Sequence, residues 1–130
     1  LMLPLGYATY SRNRVWSTAS AFWGDIVKKA PLKARGHNNL GVALCEEGKV
    51  DEAIKHYKEA IKLDRYYADP LSNIAVAYSM KGEIDKAISA LRGAINIFPN
   101  YAEAYNNLGL VYIEQGHIEK AINCFKKSIT

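Results

Sequence analysis

The sequence predicts an all-α chain of antiparallel helix pairs stacked side by side, and three observations carry that prediction. The stretch "NNLGVALCEEG" at 38–48 returns as "NNLGLVYIEQG" at 106–116, with a paler copy, "SNIAVAYSMKG", at 72–82. Equivalent residues keep a constant interval of 34: Gly41, Ala75 and Gly109; Gly48, Gly82 and Gly116; Ala53, Ala87 and Ala121; Tyr57, Leu91 and Phe125; Ala60, Ala94 and Ser128. Internal periods of this size mark stacked helical repeats, whose stability comes from contacts between neighbouring units rather than one central core. Within each interval, apolar residues recur at helical spacing on either side of a short polar break.

Residues 1–14, "LMLPLGYATYSRNR", place Pro4 inside a would-be helix and pass from apolar to basic within a few residues. Two readings stand for this juncture. It is a frayed, degenerate first helix, or the tail of a transmembrane helix with Arg12 and Arg14 as interface anchors. Residues 15–33 read as a degenerate N-terminal helix: counting back by one interval puts Pro31 at a unit-closing position, Trp23 at the aromatic position and Ala19 at the small one. Trp16, Phe22, Trp23, Ile26 and Val27 are expected to cover the first helix of the array. Fully burying even one such side chain stabilises by roughly 1.5–3 kcal/mol, so an ordered helix is expected there.

In the first unit, 34–67, Leu40, Gly41 and Leu44 and then Ala53, Ile54, Tyr57, Ala60 and Ile61 fall at helical spacing on either side of "EEGKVD". Gly48 suits the position just past a helix end, where a left-handed backbone is cheap only without a Cβ. The second helix is predicted to begin near Val50 or Asp51, with Asp51 and Glu52 in its first turn and Lys62 and Arg65 around its end, as the helix dipole favours. Units 68–101 and 102–130 repeat the plan, the third being truncated. Gly41 is expected to face Ala53 where the helices approach, as Ala75 faces Ala87 and Gly109 faces Ala121. The large residues Leu44, Tyr78, Tyr112, Tyr57, Leu91 and Phe125 fill the remaining core. At the C-terminal end an exposed apolar face of Ile118, Ile122 and Ile129 is expected, which invites stacking or self-association.

These positions resemble the tetratricopeptide repeat (TPR) family. The third unit reads Tyr105, Leu108, Gly109, Tyr112, Gly116, Ala121, Phe125 and Ser128, and the second reads Leu71, Ile74, Ala75, Tyr78, Gly82, Ala87, Leu91, Ala94 and Pro99. In the first, His37 stands at the opening bulky position and Arg65 where the closing proline would be. The resemblance covers about three quarters of the chain and implies a right-handed α-α superhelix of three repeats plus the degenerate helix, with first helices lining a concave groove. The strings "TYSRNRVW", "FW" and "KKAPLKARGHNNLG" are also similar to the juncture between membrane helices and repeat tail in bacterial O-mannosyltransferase-type membrane proteins. That similarity implies a membrane tether upstream of Leu1 and leaves its side open.

The net charge of +4 sits in the leader, where residues 1–35 hold six Lys/Arg against Asp25 alone, while residues 36–130 hold eleven against twelve acids. Near-neutral repeats argue against a nucleic-acid clamp, which needs a continuous basic stripe. Cys45 and Cys124 lack metal or redox spacing, and His37, His56 and His117 are scattered, so neither a metal nor a cofactor is expected. No nucleophile, base and orienting group recur together, and a non-catalytic chain is expected.

The family's groove implies a protein or peptide partner. On that face stand the asparagines Asn39, Asn73 and Asn107, with Val42, Val76 and Leu110 one turn on and Arg35, Asn38, Glu46, Ser72, Met80, Glu103, Asn106 and Glu114 beside them. An amide offers donor and acceptor together, so a column of them can pair with the peptide groups of an extended ligand, as in the similar repeats of O-linked N-acetylglucosamine transferase. The same amides could equally bond within or between units. A chaperone-tail carboxylate clamp would need basic side chains where Asn38, Val42, Glu103 and Asn107 stand, and only Asn73 fits it. Peptide-binding residues are therefore expected to be Asn39, Asn73, Asn107, Val42, Val76, Leu110, Arg35, Asn38 and Asn106. The leading expectation is an interaction scaffold for an extended segment; the alternatives are the substrate-presenting tail of a membrane-bound glycosyltransferase and a self-assembling scaffold.

Overall fold

The computed structural model describes residues 18–130, so the juncture at 1–14 and Trp16 lie outside the described residues. Among the described residues seven helices follow in order: α1 Ala19–Lys29, α2 Ala34–Glu46, α3 Val50–Leu63, α4 Asp69–Met80, α5 Ile84–Ile97, α6 Ala102–Glu114 and α7 Ile118–Ser128. No strand occurs among the described residues. Thr18 caps α1 by accepting the Ala21 amide on its hydroxyl at 3.1 Å.

The turn inside each pair is the same hydrogen-bonded device three times. Gly48, Gly82 and Gly116 sit at φ of 80°, 77° and 80°. The amide after each glycine reaches back to close the helix: Lys49 to the Leu44 carbonyl at 2.8 Å, Glu83 to Tyr78 at 2.9 Å and His117 to Tyr112 at 2.8 Å. This is the Schellman closure, and it needs the left-handed residue that only glycine supplies without a Cβ penalty. Gly82→Ala is therefore expected to cost about 1–2 kcal/mol, measured by urea denaturation. Gly24→Ala, in mid-helix with open space where its Cβ would go, should instead stabilise by about 0.5–1 kcal/mol.

Packing runs along the chain, with each helix against the next, and also between α2 and α4 and between α4 and α6. Among the described residues the backbones of α3, α5 and α7 do not approach one another closely. A stack whose first helices meet while its second helices splay must curl toward the first, so α2, α4 and α6 form the inner wall. The core is continuous through α4: Ile74 and Ala77 join the cluster of Leu40, Leu44 and Tyr57, while Ala75 joins that of Leu91, Leu108 and Tyr112.

The close approach of paired helices differs from the expected meeting of small residues. The atoms nearest a Cβ at Gly41 belong to the Tyr57 ring, at 2.5 Å, and at Gly109 to the Phe125 ring, at 2.6 Å. Each of these glycines is the seat of an aromatic ring from the second helix. In the middle pair, alanine at 75 stands opposite leucine at 91, a side chain without the flat ring. Among the described residues helix α1 packs on α2, and Phe22, Trp23, Ile26 and Val27 are half-buried. Ile118, Ile122 and Ile129 are exposed.

Candidate peptide-binding groove

The inner wall carries the asparagine column, and two of its amides are partly spent within the fold. Asn73 donates from Nδ2 to Asn38 Oδ1 at 3.0 Å, and Asn107 donates from Nδ2 to Ser72 Oγ at 3.1 Å. Each reaches back from one first helix to the preceding one, across a sequence separation of 35. The same interaction recurs because 38 and 72, like 73 and 107, are one repeat interval apart. The Oδ1 of Asn73 and of Asn107 accepts nothing from the described residues, and one N–H of each amide is left over. Half of each amide thus ties helix to helix, and half is left without a partner among the described residues.

Asn38, expected among the ligand-binding positions, is buried at 4 % exposure. It accepts from Asn73 and donates to the Tyr67 hydroxyl at 3.2 Å, with a long 3.5 Å contact to Asn39 Oδ1. Its amide is fully used because the angle between α2 and α4 turns it into their interface, a geometry that spacing along one helix does not reveal. Asn106, at the equivalent point of α6, is exposed. Arg35 is exposed at the start of α2, beside Tyr67.

Two cavities open on this wall. One, of about 260 Å³, lies between α4 and α6 and is lined by Val76, Met80, Asn107, Leu110 and Glu114 over a floor that includes Leu91. The other, of about 280 Å³, lies between α1 and α2 and is lined by Trp23, Asn39, Val42 and Glu46. Val76, Met80 and Leu110 are each about half exposed. The cavities thus unite Asn39 with Val42, and Asn107 with Leu110 and Val76, while Asn73 lines neither. Trp23 as a groove wall was not foreseen, although its place in the repeat register would have put it beside α2.

Two of the three histidines meet in space. His37 and His56 lie with Nδ1 atoms 3.1 Å apart and rings stacked at 5.4 Å. His37 Nε2 is 2.8 Å from the Pro31 carbonyl, which can only accept, so Nε2 carries the proton and Nδ1 is the bare acceptor for His56 Nδ1–H. Burial first, and His37 second, push the His56 imidazole below its ordinary range, against the pull of Glu52 and Glu59. The unfolded chain therefore holds more protons than the folded one at mildly acidic pH. Stability should be full above about pH 6.5 and fall as pH drops through the lowered value. Melting temperatures at pH 7.5, 6.5 and 5.5 should decline on acidification, and the decline should be shallower in His56→Gln.

Stacked antiparallel pairs with a curved wall of first helices define a helical-repeat fold of the protein-interaction class. The chain belongs to the tetratricopeptide repeat family: residues 66–130 match the family model described as tetratricopeptide repeat, and residues 41–82 match one described as TPR repeat. Among curated proteins it is similar to a protein O-mannosyl-transferase of Caenorhabditis elegans, 37% identical over 67 residues, which are 52% of this chain and 10% of that protein. The chain therefore spans about a tenth of that relative. Among solved structures it is similar to MamA, with 31% identity and a TM-score of 0.75 over 85% of this chain and 64% of that one. It is also similar to the second TPR of Spaghetti (RPAP3) bound to the HSP90 peptide SRMEEVD, with 25% identity and a TM-score of 0.70, covering 75% of this chain and 90% of that one.

Proposed function

We propose that the chain is a scaffold that holds an extended polypeptide segment along the α2–α4–α6 wall. The observation that carries this reading is the row of half-used amides, at Asn73 and Asn107, beside half-exposed Val76, Met80 and Leu110. Each such amide can accept one ligand N–H and donate to one ligand carbonyl whatever the ligand's side chains, while the aliphatic positions supply apolar contact.

Replacing the whole column by alanine would mix two effects, since Asn73 and Asn107 also link helices. The clean variant is Asn39→Ala, whose amide makes, among the described residues, only the long contact with Asn38. On an array of immobilised extended peptides, Asn39→Ala should weaken the strongest ligands several-fold while the melting temperature stays within about 2 °C of wild type, as for a surface change of under 0.5 kcal/mol. Unchanged binding by Asn39→Ala and by Leu110→Ala together would remove the groove from the account.

A second reading is favoured by the 37% identity to an O-mannosyl-transferase. Here the array is the tail of a membrane-bound glycosyl-transfer enzyme and presents acceptor proteins to a catalytic part elsewhere in the polypeptide. Several hydrophobic spans encoded upstream of Leu1 are the expected result; a gene without them would exclude it.

A further inference from the structure

Glu46 and Glu114 are placed where a helix disfavours them. Each is the last residue of its helix, α2 and α6, and a carboxylate at a helix C-terminus opposes the partial negative charge of the terminal carbonyls. Neither has an ion-pair or hydrogen-bond partner among the described residues. The lysines that follow α2 and α4 pair with other acids: Lys49 with Glu47 at 3.8 Å, and Lys81 with Asp51 at 2.7 Å and Glu83 at 3.2 Å. Both carboxylates line cavities, and both stand on one helix face with the same companions: Asn39, Val42 and Glu46 in one, Asn107, Leu110 and Glu114 in the other. The α4 residue at the equivalent point is Met80, half exposed at the rim of the second cavity. A local rule broken twice at one repeat position, in a cavity and with no compensating cation, marks a place where the cation comes from a ligand.

We infer that the groove selects an extended segment carrying two basic side chains with an apolar one midway, their cations meeting Glu46 and Glu114 and the apolar residue meeting Val76 and Met80. This rests on the groove reading above and deepens it. A lysine or arginine fits each outer site by parts, its aliphatic stem on Val42 or Leu110 and its charge at the glutamate. The spacing is set by the fold. Neighbouring helices pack about 8–10 Å apart, and a polyproline II chain turns once in three residues, advancing about 9 Å. Side chains at i, i+3 and i+6 of such a segment therefore point the same way at one-helix intervals. The groove positions expected from the sequence hold Glu46, Glu103 and Glu114 against Arg35 alone, a balance that opposes an acidic ligand.

The test uses three fluorescein-labelled nonapeptides of alanine and proline with a central leucine, bearing lysines, norleucines or glutamates three residues to either side of it. Fluorescence anisotropy is read on wild type and on the Glu46→Gln, Glu114→Gln double variant. The lysine peptide should bind about ten-fold more tightly than the norleucine one, from two exposed ion pairs, and the glutamate peptide more weakly than both. The double variant should erase the lysine preference without moving the melting temperature downward. Equal binding of all three peptides, weakened by Asn39→Ala, would overturn the charge assignment and leave the groove standing. Lysine binding unaffected by the glutamine substitutions would overturn it too. Binding of none would overturn both. Sedimentation of the chain alone checks the rival occupant, because a dimer that dissolves in the double variant would assign the groove to a second copy.

Discussion

Gly41→Ala is expected to destabilise the chain by about 1–2 kcal/mol, although alanine is the better helix former by about 0.5–1 kcal/mol. The added Cβ would lie 2.5, 2.7 and 2.9 Å from three atoms of the Tyr57 ring. That ring is 2 % exposed, so it has nowhere to go. The middle pair suggests the remedy, because there alanine at 75 coexists with leucine at 91. Tyr57→Leu alone should cost about 2–3 kcal/mol for lost apolar contact and the cavity left behind. Combined with Gly41→Ala it should cost at least about 1 kcal/mol less than the two separate losses together, since the methyl group fills space that the ring has vacated. A double-mutant cycle by urea denaturation measures this coupling. Strict additivity would mean that the ring does not rest on the glycine.

How much of this was readable beforehand depends on how many elements a feature involves. Gly48, Gly82 and Gly116 were legible because a left-handed residue after a helix is a demand of the local backbone, and their φ values of 77–80° meet it. The interval of 34 likewise located helix pairs, because each pair must bury one apolar stripe against the next. Gly41 was legible as a close approach but not as a ring seat, since choosing between Ala53 and Tyr57 as its neighbour requires the crossing geometry of α2 on α3. The His37–His56 contact joins residues 19 apart on two helices, and nothing in their spacing announces it. Glu46 and Glu114 were visible as groove positions, yet their significance lies in what does not pair with them, and that emerges only once Lys49 and Lys81 are seen bonded elsewhere. The groove's charge pattern is a property of packing, whereas its asparagine column is a property of sequence.

Asn38 carries the second large effect because two groups depend on it, Asn73 Nδ2 and the Tyr67 hydroxyl. Asn38→Ala should cost about 2–4 kcal/mol: Asn73 Nδ2 loses its acceptor and the Tyr67 hydroxyl loses its donor, each worth roughly 1–2 kcal/mol where burial keeps water from replacing it. The loss falls on the junction between α2 and α4 rather than within either helix pair. In a stack whose stability is the sum of unit and interface contributions, weakening one interface uncouples the units on its two sides. The urea transition of Asn38→Ala should therefore shift to lower denaturant and also broaden, with a smaller apparent slope, as α1–α3 melts separately from α4–α7. Ser72→Ala, which strands only Asn107 Nδ2, should shift the midpoint less, by about 1 kcal/mol, and keep the slope. The comparison separates a network from a single bond. If Asn38→Ala and Ser72→Ala moved the midpoint equally with unchanged slope, Asn38 would be an ordinary buried amide and the alignment of the groove across α2 and α4 would have to come from apolar packing alone.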